Sequence, residues 1–144
     1  KINTKNLRIF VYNPYLSKKK ETKDIKIKYI DNLKKFKKTK FDLTYFGSVL
    51  QYIFDLKKIK NDVIENSKYI LITHTPIIFS KKSYIEKQKN VKNLDHKIHT
   101  YSEINSTISK KFNLIFKSIN EYKYSGLSKK RKNAFSTNLL FKKK

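Results

Sequence analysis

Alternating apolar and polar positions predict strands in the first and central parts of the chain. In residues 7–12, Leu7, Ile9 and Val11 fall on one side, and Asn13-Pro14 ends the strand because proline supplies no backbone donor. Residues 41–46 predict a second short strand before Gly47. The β-branched run at residues 69–73 predicts a central strand, and Thr75-Pro76 then leads the chain out of the core.

Lysine-rich residues 17–38 are predicted to form an amphipathic helix. Four apolar residues fall at helical spacing, namely Ile25, Tyr29, Leu33 and Phe36. Ile25, Ile27 and Tyr29 also alternate, so a strand is the alternative. The helix is preferred because its period continues to Phe36.

Two further helices are predicted from the same kind of spacing. Residues 48–64 carry a stripe after a possible Ser48 cap, formed by Val49, Tyr52, Ile53, Leu56 and Val63. Residues 107–120 place four apolar side chains on one face, namely Ile108, Phe112, Ile115 and Ile119. Asn105, Ser106 or Thr107 would cap this helix.

The remaining segments are dominated by charge. Residues 80–93 predict a basic loop or arm, in which Ser83-x-x-Glu86 fits a capping box for one or two helical turns. Residues 97–104 predict a returning strand, and residues 121–124 a last strand. Residues 127–144 lack a strong period, which predicts an extended basic tail.

The charge balance points to a polyanionic partner. The chain has 35 Lys+Arg and 11 Asp+Glu, a net charge of +24. Such an excess opposes compaction unless a polyanion neutralises it, as RNA phosphates do. Only Arg8 and Arg131 are arginine, and lysine suits phosphate contacts better than bidentate base reading.

Composition also bears on the source and location. Lys, Asn, Ile, Phe and Tyr abound, while Ala occurs once and Gly and Pro twice each, which indicates an A/T-rich genome. We expect a mitochondrial protein, with a plastid or an A/T-rich cytosolic ribosome as alternatives. No apolar run approaches the roughly 20 residues of a membrane helix, so no membrane association is expected.

No pattern in the sequence predicts catalysis. The only cluster suited to a metal is His96-x-x-His99 with His74 and Asp95, and a strand would point His96 and His99 to opposite faces. Paired-carboxylate, nucleophile and phosphate-loop motifs are absent from the sequence. We therefore expect no enzyme activity, no cofactor, no metal and no small-molecule substrate.

The stretch from Lys68 to Ser83 resembles the small-subunit ribosomal protein S-ten family. Residues 68–72 are similar to that family's R-Y-T-V-L strand, and residues 75–78 correspond to its S-P-H-I segment. Lys81-Lys82-Ser83 matches the D-K-K-S tip, residues 98–100 match the returning I-R-T-H strand, and residues 7–12 have a similar I-R-I opening. The family's G-P-I-P-L-P-T signature is missing, and the helix predicted at about residues 48–66 would be a lineage-specific insertion relative to the family.

The resemblance implies an α+β fold of the ferredoxin-like βαββαβ type. Two helices would cover one face of an antiparallel sheet in a domain spanning residues 1–126, with an arm at about 76–96 and the tail at 127–144. It also implies a structural, rRNA-binding role in the head of the small ribosomal subunit, beside the S-fourteen and S-three families. The residues expected to contact rRNA phosphates are Lys81, Lys82, Lys87, Lys89, Lys129, Lys130, Arg131, Lys132, Lys142, Lys143 and Lys144.

Two alternatives share this composition. One is a lineage-specific organellar ribosomal protein of another family. The other is a non-ribosomal basic nucleic-acid-binding protein, and a DNA reader would need a groove-reading helix with Arg or Asn–Gln pairs on one face.

Overall fold

The chain forms a mixed α+β structure dominated by strands. The computed structural model describes residues 7–12, 26–30, 32–80, 82–87, 94–123 and 134–144. The strands are β1 (Arg8–Tyr12), β2 (Lys26–Ile30), β3 (Phe41–Gly47), β4 (Ser67–Ile78), β5 (Tyr84–Lys87), β6 (Asp95–Thr100), β7 (Phe112–Lys123) and β8 (Phe135–Lys143). The α-helices are α1 (Leu56–Lys60) and α2 (Tyr101–Ile108), and 3-10 turns span Leu33–Phe36, Leu50–Tyr52 and Ile64–Asn66.

Strand β4 is the centre of the main sheet. The strand order is β5-β6-β4-β8-β7, and β3 also pairs with β4. On one edge β4 is parallel to β3 and then to β6, and on the other it is antiparallel to β8. The α+β class is confirmed, but the parallel pairs differ from an all-antiparallel sheet, so the ferredoxin-like arrangement is not confirmed.

Strand β4 continues through Pro76, where the sequence predicted an exposed arm. Pro76 is buried and is the register partner of Ser136 in β8. A register shift between Ile72 and Thr75 precedes it, and there His74 has a positive φ of 51°. Sheets tolerate proline next to such a bulge. The prediction that the chain leaves the core at residue 76 is therefore wrong.

The helix predicted over residues 17–38 is wrong for the part that is described. Residues 26–30 form β2, parallel to β1, as the alternation of Ile27 and Tyr29 had allowed. Phe36 lies in a 3-10 turn, and its ring contacts Phe10 of β1 and Phe41 of β3 edge-on. Aromatic packing against neighbouring strands thus replaces the helical stripe. Residues 17–25 lie outside the described residues.

The helix predicted over residues 48–64 is divided into short pieces. Asp55 caps α1, because its carboxylate accepts a hydrogen bond of 2.9 Å from the backbone N–H of Lys57. Ser48 has a positive φ of 52° and does not cap a helix. The apolar residues of this segment still reach the core, since Leu56, Ile59 and Val63 are buried.

The helix predicted over residues 107–120 is also wrong. Helix α2 ends at Ile108, and β7 begins at Phe112. Thr100, rather than residues 105–107, caps α2 by accepting a 2.9 Å hydrogen bond from the N–H of Glu103. Pairing of β7 with β8 determines the structure here, because tertiary contacts override a helical spacing of apolar residues.

The C-terminal residues form an interior strand. β8 lies between β4 and β7, and Thr137, Leu139 and Phe141 are fully buried in it. From Phe135 onward the predicted tail is thus part of the sheet. The main core lies between this sheet and the two helices, and joins Leu139 and Phe141 to residues such as Ile59 and Ile104.

Candidate nucleic-acid interface

The predicted arm is a β-hairpin in the part that is described. β5 and β6 pair antiparallel, with Lys87 opposite Asp95. Strand β5 replaces the helical turns suggested by Ser83-x-x-Glu86, so that capping-box prediction is wrong. Lys82 precedes β5 and Lys87 ends it, and both are exposed. The hairpin therefore displays both lysines to solvent.

The three C-terminal lysines lie at the end of β8 and are exposed. Lys142 is the register partner of Tyr69. The ammonium of Lys143 donates a 2.7 Å hydrogen bond to the carbonyl oxygen of Glu65, and the backbone N–H of Lys144 donates to the carbonyl oxygen of Lys111. These contacts fix the strand end, and Lys142 and Lys144 present their side chains to solvent.

The described lysines of the hairpin and of β8 belong to elements that meet β4 at different points. β6 pairs with β4 at Ile77 and Ile78, whereas Lys142 lies beside Tyr69 near the start of β4. Eight residues of strand separate these points, a distance of about 26 Å. Among the described residues, the predicted arm and tail thus meet β4 at opposite ends of that strand. The other predicted residues, Lys81, Lys89, Lys129, Lys130, Arg131 and Lys132, lie outside the described residues.

Several acidic side chains are paired with lysines. Lys68 lies 2.7 Å from Asp42 and Lys111 2.7 Å from Glu65. These hydrogen bonds hold the pKa of each carboxyl group below its ordinary value. Even if every acidic residue neutralised one basic residue, the difference of 35 and 11 would leave 24 positive charges.

One face of the main sheet carries exposed aromatic side chains that the sequence pattern did not single out. Ile70, Ile72, Leu139 and Phe141 point toward the helices, so the alternate residues point to the other side. We refer to this side of β3, β4, β8 and β7 as the open sheet face. Tyr45 and Phe116 lie on it and are 59% and 53% exposed. The alternation in residues 41–46 was the available signal for Tyr45.

No protein-family model matches this chain, and no curated protein matches its sequence. The S-ten identity therefore stays a prediction, which depends on the stretch from Lys68 to Ser83. Within the part of the chain that the structure describes, no helix is long and apolar enough to cross a membrane.

His96 and His99, the two histidines of β6, have fully buried side chains. The His99 ring nitrogen Nε2 lies 3.2 Å from the carbonyl oxygen of Leu50 and 3.0 Å from that of Ile53, so Nε2 carries the hydrogen. Its Nδ1 lies 3.3 Å from Oε2 of Glu103, which also pairs with Lys97. Among the described residues, no three His, Cys, Asp or Glu side chains are grouped to hold a metal ion.

Burial lowers the pKa of both His96 and His99. For His99, Glu103 opposes this effect and Lys97 reinforces it, and for His96 the nearby Glu86 and Asp95 oppose it. The unfolded chain thus binds protons on these rings at a pH where the folded chain does not. Stability is fully present above the ordinary histidine pKa of about 6.5 and falls as the pH drops below it.

We expect the His99→Gln variant to weaken this pH dependence. Its side-chain amide can still donate to the carbonyl oxygens of Leu50 and Ile53, but it does not titrate. Urea unfolding at about pH 7.5 and about pH 5.5 should show a smaller loss of unfolding free energy than in the wild type. His74→Gln is the control, because His74 is exposed. Equal pH dependence in wild type and His99→Gln would contradict the prediction.

Proposed function

We propose that this protein is a structural, rRNA-binding constituent of the small ribosomal subunit. The observation that carries the proposal is the net charge of +24 on a chain of 144 residues. Neutralising RNA phosphates releases condensed counterions and removes the repulsion among the lysines. A long RNA enclosing the domain offers enough phosphates for lysines on several sides, including those at both ends of β4.

The finer parts of the proposal come from the S-ten resemblance. They are membership of that family, location in the subunit head beside the S-fourteen and S-three families, and a mitochondrial ribosome as the site of function. Descent from the ferredoxin-like S-ten fold belongs to the same proposal, and the parallel pairing of β3 with β4 is a departure from it.

Sedimentation of the native ribosome tests this function. We expect the chain, detected by mass spectrometry, to remain in the small-subunit peak of a sucrose gradient run in high salt. An arm variant, Lys82→Glu with Lys87→Glu, should enter this peak less efficiently, because the two substitutions together lower the charge of the exposed hairpin by four units. Its thermal unfolding should match the wild type, since both lysines are exposed.

A charge-matched variant separates the hairpin from the charge of the whole protein. Lys57→Glu with Lys58→Glu makes the same charge change on exposed positions of α1. A larger loss of entry into the small-subunit peak for the hairpin variant than for the α1 variant would assign rRNA contact to the arm. Equal losses would overturn that assignment, and release of the wild-type chain into the light fractions would overturn the ribosomal function.

A further inference from the structure

The open sheet face is organised in three rows that cross four strands. The strand register gives a first row of Leu43, Tyr69, Lys142 and Asn113, and a second row of Tyr45, Leu71, Leu140 and Phe116. The third row contains Gly47, Thr73, Asn138 and Ser118. None of these twelve residues is acidic. The face is thus an apolar and aromatic band between a lysine-containing row and a small polar row.

The ring of Tyr45 lies along the sheet surface. A Cβ atom at Gly47 would collide with the Tyr45 ring and hydroxyl group, so the ring occupies the space above this glycine. The Tyr45 hydroxyl also lies 3.0 Å from Oγ1 of Thr73 on the neighbouring strand. Glycine at position 47 therefore allows the ring to lie over β3 with more than half of its side chain exposed.

The polar row beside it is fixed by hydrogen bonds. The side chain of Asn138 accepts a 3.0 Å hydrogen bond from the backbone N–H of His74 and donates one of 2.9 Å to Ser118. These bonds join β4, β8 and β7 on this face. The aromatic side chains are thus carried by a sheet whose strands are held in register.

We propose that the open sheet face binds an unpaired RNA segment, whose bases stack on Tyr45 and Phe116 while Lys142 contacts a phosphate. Aromatic side chains stack on exposed bases with little regard to sequence, and nearby lysines hold the backbone. Tyr45 and Phe116 lie three strand spacings apart, about 14 Å, so each ring receives a different nucleotide.

Charge favours RNA over a protein as the occupant. The face contains a lysine and no carboxylate among its twelve residues, and it belongs to a chain of net charge +24. A second copy of this chain would bring another +24 to the same surface and is opposed by repulsion. The inference rests on the proposed RNA-binding function and adds to it the recognition of unpaired bases.

Binding of two RNA probes to the full chain tests the proposal. One is a fluorescein-labelled single-stranded oligonucleotide, and the other is a duplex RNA of equal total charge, both at one fixed salt concentration. For the variant Tyr45→Ala with Phe116→Ala, we expect at least about a tenfold loss of affinity for the single strand. Affinity for the duplex should stay within about twofold, because its bases are already stacked on each other.

Matched variants define the outcomes. Tyr12→Ala with Phe54→Ala removes one exposed tyrosine and one exposed phenylalanine that are not among the twelve residues of this face, and it should keep wild-type affinities. Tyr45→Phe with Phe116→Tyr retains two stacking rings and should restore single-strand binding. Thermal unfolding of each variant reports any loss of fold.

Three results would overturn the stacking proposal, and a fourth would overturn the RNA-binding function on which it rests. Unchanged single-strand affinity in the alanine variant would reject stacking while leaving the RNA-binding function intact. Equal losses for single strand and duplex would assign the two rings a general structural role. If RNA affinities are unchanged but the variant leaves the small-subunit peak, the occupant is a protein. Wild-type protein that binds neither probe would reject the proposed function itself.

Discussion

Removal of residues 135–144 is expected to abolish cooperative folding. The deletion takes away β8, which pairs with β4 on one side and β7 on the other. It also removes Leu139 and Phe141, which are fully buried in the main core. Burial of each such side chain stabilises the fold by about 1.5–3 kcal/mol, so the deletion removes this stabilisation twice. The deletion also removes the backbone hydrogen bonds that join β8 to β4 and to β7. Domains of this kind have only about 5–15 kcal/mol to lose.

A charge variant of the same segment separates the contribution of strand β8 to folding from the contribution of its terminal lysine charges. Lys142, Lys143 and Lys144 are exposed, so their replacement by glutamine should change the free energy of unfolding by less than about 1 kcal/mol. Urea unfolding followed by circular dichroism measures both variants. Cooperative, wild-type-like unfolding of the deletion variant would show that β8 is dispensable and would contradict the strand order.

Phe112→Ala is expected to lower the free energy of unfolding by about 3–5 kcal/mol. Phe112 begins β7, is only 1% exposed and belongs to the main core. Its removal therefore leaves a cavity below the sheet. Denaturant unfolding gives the size of the loss, provided that the dependence on denaturant concentration is unchanged.

Ile115→Ala is the informative partner of this substitution. Residues three apart share a face on a helix, whereas in β7 the strand register shifts between Leu114 and Phe116 and leaves Ile115 without a register partner in β8. Ile115 is 51% exposed, so its truncation should cost less than about 0.5 kcal/mol. Comparable losses at Phe112 and Ile115 would favour the helical arrangement of residues 107–120 and contradict strand β7.

The local pattern of apolar and polar residues was sufficient to predict three of the strands. The predictions for residues 7–12, 41–46 and 69–73 are confirmed by β1, β3 and β4. It failed for β7, where Ile108, Phe112, Ile115 and Ile119 fit a helical period by coincidence. The decisive contact is with β8, and β8 also pairs with residues 58 to 73 positions earlier, from Ile77 with Phe135 to Tyr69 with Lys142. A short window of sequence does not contain such pairings.

The candidate site was predictable in its charge and not in its shape. Lys82, Lys87 and Lys142 are exposed, as expected of solvated lysines. Tyr45 and Phe116 belong to separate strands, and only the register through β4 and β8 places them on one row. These rings face solvent because the helices cover the other side of the sheet. The side that the helices cover is a property of the tertiary structure.

The position of β8 has a consequence for synthesis of the protein. A ribosome synthesises β4 and β7 before it synthesises β8, the strand that lies between them. The edges of β4 and β7 that pair with β8 are therefore unpaired in the nascent chain. Unpaired strand edges are sites of aggregation, and lysine-rich flanks oppose it by mutual repulsion. The pairing of β4 with β8 and of β8 with β7 therefore forms only after β8 emerges, whereas the pairing of β4 with β3 and β6 does not depend on β8.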